Sequence, residues 1–271
     1  MLKSHERAVL AELEAALPAM LRLLGELVDT DSGSHDKAGV DAAGRIIAGF
    51  LSDAGLSIEI DPREAHGDVV IARADSDATD RRPILFLAHR DTAFPQGEPR
   101  RRPFRVEDGR AYGPGVSDMK AGVAMLAFVL AALVRHKAHP GPLVALFTGD
   151  EEIGSPSSRE IISRTGATAR AAFNCEPGRS PNAVVHGRRG GMVLRLRVTG
   201  RAAHAGANIA DGVSAIEEIA RCVIALHALN DAGRGISVNV GVIEGGEAPN
   251  TVAPLATALV DLRYRDPADR Q

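Results

Sequence analysis

Acids and one imidazole stand where the chain's hydrophobic runs stop. The run "ILFLA" is followed by His89-Arg90-Asp91, "LVALFTG" by Asp150-Glu151-Glu152, and "AAFNC" by Glu176. Between the first two, the Gly/Pro-rich "YGPGVSDMKAG" delivers Asp118 just ahead of an apolar helical stretch. Imidazole with carboxylates is a donor set for zinc, with cobalt or manganese as substitutes. Several acids gathered at one concave edge repel one another and cost stability unless a cation lies among them. A carboxylate shared by two metals holds them about 3.5–4 Å apart, the spacing of two-metal hydrolytic sites. A free carboxylate beside the attacking water accepts its proton and later passes it to a leaving nitrogen. Asp91 follows His89 closely enough to hold the imidazole's other nitrogen and fix its tautomer. Glu151 and Glu152 are adjacent; in a strand-like segment their side chains point opposite ways, so one binds metal while the other stays off it.

Each of these residues also has a plainer use. Asp118 could cap the helix that begins at Met119. His89 could be a hydrogen-bonded core histidine, and Asp91 could cap a turn. Glu176, ahead of Pro177, could decorate a loop, and Glu151 with Glu152 could form a solvated turn. The metal reading draws its weight from the joint placement: the others follow apolar strands, a loop between the first two strands delivers Asp118, and the carboxyl edge of an α/β sheet is where ligands bind.

The elements that would position them can be read from periodicity. Residues 6–28 repeat apolar positions at helical spacing (Val9, Leu10, Leu13, Leu17, Leu21, Leu24), and 39–54 do so again. "LSIEID" and "GDVVIARA" read as short strands. The continuous apolar runs at 82–88, 141–148 and 169–176 read as three buried strands. A strong helix covers 119–137, and "SSREIISRTG" is a helix ended by Gly166. Strands alternating with helices give a layered α/β fold. Past residue 187 the strands alternate apolar with polar around one helix, the pattern of a smaller α+β domain with a half-exposed sheet. The boundary is set in "HGRRGG", giving domains 1–186 and 187–271.

At 271 residues, 45% hydrophobic and 25% charged, the chain can bury a core of useful size. A formal net charge of −3 provides no overall field for nucleic acid or an anionic membrane. The cluster Arg100-Arg101-Arg102 lacks interleaved aromatics and reads as a solvated loop. Two distant cysteines, Cys175 and Cys222, form neither a disulfide framework nor a metal knuckle. The N-terminus is amphipathic, unlike a secretion signal, and "VAMLAFVLAALV" is too short to span a bilayer. Cytoplasm is the expected location.

Taken together, "LAHRDTAFPQGEPRRRPFRVEDGRAYGPGVSDMKAG", "LFTGDEEIGSPSSRE", "FNCEPGR", "VTGRAAHAG" and "GEAPNTVAP…VDLRYR" resemble the M20 family of di-zinc metallopeptidases, most of all its glutamate carboxypeptidase branch. The motifs come in family order along almost the whole chain. The resemblance implies a mixed sheet with flanking helices for residues 1–186 and a lid and dimerisation domain for 187–271, each incomplete. It implies that His89 and Glu176 bind one zinc, Glu152 the second, and that Asp118 bridges both. Glu151 would be the general acid/base and Asp91 the residue that orients His89. The peptide from Asp118 to Met119 would be cis. His204 would stabilise the oxyanion in a partner's site within a homodimer, and Asn250 and Arg263 would bind the substrate's terminal carboxylate. Arg263 could instead pair with Asp261 or Asp266, and His204 could serve a turn. The implied reaction is release of a C-terminal, glutamate-like amino acid from a small peptide. Deacylation of an N-acyl amino acid, of the acetylornithine or succinyl-diaminopimelate type, is the alternative. Family members continue further and return to the sheet with a sixth ligand, a histidine for the second zinc. None of His5, His35, His66, His136, His139, His186 and His227 has a matching context. The chain is therefore expected to be a fragment or a truncated product. If complete, it is expected to bind the second metal weakly, to catalyse little and to expose apolar edges; an inactive, truncated binding homologue is the non-enzymatic alternative.

Overall fold

The computed structural model describes residues 2–76, 82–179 and 183–270. The chain divides into two compact units, Met1–Gly178 and Arg179–Gln271, whereas the sequence reading sets the boundary at 186/187.

In the first unit the helices are α1 (Ser4–Ala15), α2 (Leu17–Asp29), α3 (Lys37–Asp53), α4 (Glu98–Arg101), α5 (Ala121–Arg135) and α6 (Arg159–Thr168). Its main sheet contains β1 (Ser57–Asp61), β2 (Val69–Ala74), β3 (Ile84–His89), β6 (Leu143–Thr148) and β7 (Ala171–Asn174), and a small hairpin pairs β4 (Arg105–Glu107) with β5 (Arg110–Tyr112). The hairpin turns on Asp108-Gly109, both at positive φ, the geometry for which Asp-Gly is selected. Strand order in the main sheet is β1-β2-β6-β3-β7. β3 runs parallel to both β6 and β7, while β2 is antiparallel to β1 and β6. The sheet is therefore mixed and helix-flanked, as expected.

Alternate residues of the inner strands feed two cores. Val70, Ala72, Ala145 and Phe147 face Leu27 of α2, Ile47 of α3 and Leu130 of α5. Ile71, Leu85, Val144 and Leu146 face Ile161 of α6. Complete burial of such a side chain stabilises by about 1.5–3 kcal/mol, so β6, buried at every position, anchors the sheet. Register then places the chemistry. His89 pairs with Thr148 and Leu87 with Asn174, so the residues that follow β3, β6 and β7 emerge along one edge.

Several local expectations are corrected. The first helical pattern is two helices, broken at Ala16, because Pro18 favours a helix start over a helix interior. β7 is an exposed edge strand rather than a buried one; its Phe173 stacks on Phe86 at 5.6 Å. α6 runs on past Gly166. The Arg100–Arg102 segment is largely the short helix α4, with Arg101 and Arg102 paired to the buried Glu98. Finally, Val116–Arg135 is long and apolar enough by composition to cross a membrane; its apolar character is used at home, since Val123, Ala127 and Leu130 are fully buried in the core.

The second unit is an antiparallel sheet of β8 (Gly190–Thr199), β10 (Leu255–Tyr264) and β9 (Ser237–Gly245), in that order, with helix α7 (Ala215–His227) on one face. Ala215 and Ile219 of α7 pack on Ala256 and Ala258 of β10. Ser214 caps the helix, accepting from the Glu217 amide. This is the α+β arrangement that the alternating strands imply.

Candidate metal centre

His89 ends β3 with its ring buried. Its Nδ1 lies 3.0 Å from the Asp91 carbonyl oxygen and 3.3 Å from Asp91 Oδ1. A proton on Nδ1 is therefore donated to Asp91, which leaves the Nε2 lone pair for a metal. Nε2 faces Asp118 Oδ1 at 3.1 Å, Glu176 Oε1 at 3.4 Å and Glu151 Oε2 at 3.8 Å. One ligand atom each from His89, Asp118 and Glu176 lies within 4.8 Å of the others. One nitrogen and two carboxylate oxygens at this separation fit a single divalent ion of the zinc, cobalt or manganese kind.

Asp118 reaches this place by an irregular route. Gly115 at φ 71° leads into a single wide turn, Val116–Lys120, in which Asp118 has non-helical backbone and the Asp118–Met119 peptide is cis. The helix-cap reading of Asp118 fails, for α5 starts at Ala121 with Lys120 in the cap position and no side-chain cap. Gly122 explains how closely the loop approaches β7. A Cβ there would lie 2.1 Å from the Cys175 carbonyl oxygen, so a side chain would force the Asp118 turn away from Glu176.

Asp91 is wholly buried and is more than a partner for His89. It accepts from Ser34 Oγ at 2.8 Å and from the backbone amides of Glu151 and Glu152, each at 3.2 Å. Burial alone would raise its pKa, but the bonds from His89 and Ser34 outweigh that and hold it below the usual range. One carboxylate thus fixes both the imidazole and the acidic turn.

The three consecutive acids divide their work. Asp150 is buried and accepts from Ser157 N at 2.6 Å, Ser157 Oγ at 2.8 Å and Ser158 N at 3.1 Å, with Ser158 Oγ as a fourth donor. It staples the following loop. Glu151 and Glu152 lie in one tight 3-10 turn, Glu151–Ile153, not in a strand-like segment, so strand alternation is not what separates them. Glu151 faces His89, whereas Glu152 lies outside the three-residue cluster and lines a cavity of about 530 Å³ with Ser34, Thr92, Phe94 and Ile153. Burial raises the pKa of both; at Glu151 the charge of His89 opposes this and Glu176 adds to it, and at Glu152 Asp118 adds to it. Burial would lower the His89 pKa, yet bonds to Asp91 and Glu176 and the field of Glu151 push it up to about 11. The pocket holds a proton for the same reason that it suits a cation.

Four contributors escape the sequence reading: Ser34, the Ser157-Ser158 pair, Arg90 and Lys120. Arg90 is fully buried, donating from Nε to the Val40 carbonyl at 3.0 Å and from its other nitrogens to the carbonyls of Phe147 and Asp68. Lys120 is buried and donates to the carbonyls of Leu27 (2.7 Å) and Thr30 (2.9 Å); burial brings its pKa down to about 8. The doubled serines after the acidic turn and the "DSGS" loop were the available signals.

The other three predicted residues belong to the second unit. The exposed His204 pairs across a bridge with Thr251, and Ala205 N donates to the Asn250 carbonyl at 2.9 Å. The loops carrying His204 and Asn250 are thereby laced together. His204 Nδ1 accepts from the Gly206 amide at 3.1 Å, which puts the ring proton on Nε2. Arg263 stands on the exposed face of β10, its Nε donating to Asp261 at 2.9 and 3.1 Å, so the sequence-level alternative of pairing with Asp261 is realised.

Residues 85–262 match the model of peptidase family M20/M25/M40, and the chain belongs to that family. Among curated proteins it is 29% identical over 251 residues to carboxypeptidase G2 of Pseudomonas sp. (strain RS-16), covering 91% of this chain and 60% of that protein. It is 27% identical over 271 residues to acetylornithine deacetylase of Edwardsiella ictaluri (strain 93-146), covering 93% and 69%. The chain thus spans about three-fifths to two-thirds of the length of these relatives. Among solved structures it superimposes on aminopeptidase PepT of Bacillus cereus ATCC 10987 with a TM-score of 0.76 at 24% identity, covering 92% of this chain and 67% of that one.

Proposed function

We propose that this chain forms the metal-binding part of an amidohydrolase that releases a C-terminal amino acid, glutamate-like in character, from a small peptide or N-acyl substrate. The carrying observation is the His89–Asp118–Glu176 cluster, with Asp91 behind the imidazole and Glu151 in front of it. His89 and Glu176 would hold one zinc ion, Glu152 a second, and Asp118 both. When bound, zinc supplies Lewis acidity, polarising the scissile carbonyl and making water acidic near neutral pH.

The chain's own residues do the rest. Asp91 keeps the His89 proton on Nδ1. Glu151, raised in pKa by its surroundings, takes the proton of the attacking water on its carboxylate and returns it to the leaving nitrogen. His204 donates from Nε2–H to the developing oxyanion, within a homodimer. Asn250 and Arg263 grip the terminal carboxylate, Arg263 with the nitrogens that Asp261 does not engage. Carboxypeptidase G2 as a relative supports the carboxypeptidase reading, and acetylornithine deacetylase supports an N-acyl amino acid deacylase as the second. Hydrolysis rates on a panel of N-acyl glutamates, dipeptides and acetylornithine discriminate the two. We expect N-acyl glutamates to lead by at least tenfold in kcat/KM; a lead for acetylornithine would favour the second reading.

A further inference from the structure

The segment between α2 and α3 takes no part in the proposed chemistry, yet it touches both ligand-bearing loops. At its start, Lys120, two residues after Asp118, reaches across to the Leu27 and Thr30 carbonyls. Those carbonyls close the end of α2, where helix geometry leaves acceptors unpaired and favours a cation. In its middle the segment runs parallel to the residues after β3: Gly33 bridges Thr92, Thr92 N donates to the Ser32 carbonyl at 2.8 Å, and Ser34 N donates to the Thr92 carbonyl at 3.2 Å. The approach is too close for a side chain at Gly33, where a Cβ would meet the Phe94 carbonyl oxygen at 2.6 Å. At its end the Ser34 hydroxyl donates to Asp91 Oδ2. The same Oδ2 receives the Glu152 amide, while Oδ1 faces His89 Nδ1 and the Glu151 amide.

We propose that Ser34 is a positioning residue for the metal centre, held in place by a strap, Thr30–Ser34, that Lys120 anchors to the Asp118 loop. Ser34 fixes the rotamer of Asp91, and Asp91 sets both the His89 ring and the Glu151-Glu152 turn. The strap thereby ties the geometry of the Asp118 turn to that of the imidazole, although the two belong to different loops. The inference rests on the reading of His89, Asp118 and Glu176 as metal ligands.

Titration of metal-free protein with Co²⁺, following its visible spectrum, tests the strap alongside the thermal midpoint of each metal-free variant. Removing an outer partner of a ligand costs roughly 10–100-fold in metal affinity. Ser34→Ala is expected to weaken Co²⁺ binding about tenfold and alter the spectrum, with little change in the metal-free midpoint. Ser34→Thr keeps the donor, has room in the adjoining cavity, and is expected to stay within about threefold of wild type. Equal loss in both variants, or a lowered midpoint with unchanged Co²⁺ affinity in Ser34→Ala, overturns the proposal. Lys120→Met probes the strap from its other end and carries the test if Ser34→Ala does not fold; unchanged Co²⁺ affinity there overturns it too. Wild type that binds no Co²⁺ overturns the ligand reading and the strap with it.

Discussion

The acidic site of the first unit and the polar loops of the second are built on opposite plans. Around His89, charged groups are buried and over-determined: Asp91 and Asp150 accept three and four hydrogen bonds from protein donors besides what His89 gives, and Arg90 ties three carbonyls together. His204, Asn250 and Arg263 are exposed and are set mainly by backbone pairing and one surface ion pair. Rigid, prepaid geometry suits a site that must confine repelling acids around a cation. Exposed groups on a backbone frame suit recognition, where a ligand completes the hydrogen bonds. Damage to the first plan should disable metal or chemistry outright; damage to the second should shift substrate affinity.

The largest effect is expected at Glu151. Glu151→Gln removes the proposed proton carrier and leaves the cluster of His89, Asp118 and Glu176 intact, so kcat should fall about 10²–10⁴-fold while elemental analysis finds metal retained. Next, Arg90→Leu strips the donors from three carbonyls and should cost about 3–5 kcal/mol in denaturant unfolding; a loss below about 1 kcal/mol would show that the buried frame is not what holds the site. By contrast, Arg263→Ala should raise KM about tenfold, with unfolding and metal content unchanged. A fall in kcat alone would erase the distinction between the two plans.

His89 adds a pH dependence. Its pKa is pushed up to about 11 in the metal-free fold, against 6.5 for an ordinary histidine. The stability it contributes there is complete below about pH 6.5 and is lost as pH rises toward 11. Metal must displace that proton. Calorimetry of metal binding at pH 7–8 in buffers of different ionisation enthalpy should therefore show proton release, and a buffer-independent heat would contradict it.

The proposed ligands were legible because His89, Glu152 and Glu176 sit just beyond apolar runs and Asp118 sits in a Gly/Pro-rich loop just ahead of an apolar helix, local patterns that survive without any knowledge of packing. The layered α/β fold followed from the order of runs and helices, and the mixed sheet from the family resemblance. What stayed hidden depends on pairs distant in sequence. Ser34 meets Asp91 from 57 residues away, and Lys120 meets Leu27 from 93. The exposure of β7 was equally out of reach, since an apolar run records hydrophobicity and not how many neighbours a strand has. The break between α1 and α2 was different: Pro18 announced it, and the helical spacing on either side masked it. Asp150 shows the limit of counting acids, since only its serine partners reveal a staple rather than a ligand.

The central claim is that the cluster of His89, Asp118 and Glu176 exists to hold a divalent cation. Titrating chelator-stripped protein with Zn²⁺, wild type beside Asp118→Asn, addresses it most directly. The account predicts tight uptake by wild type and a loss of affinity of about 100-fold or more in the variant, whose fold should persist because Asp118 is exposed. Equal uptake by both proteins, or none by wild type, would contradict it.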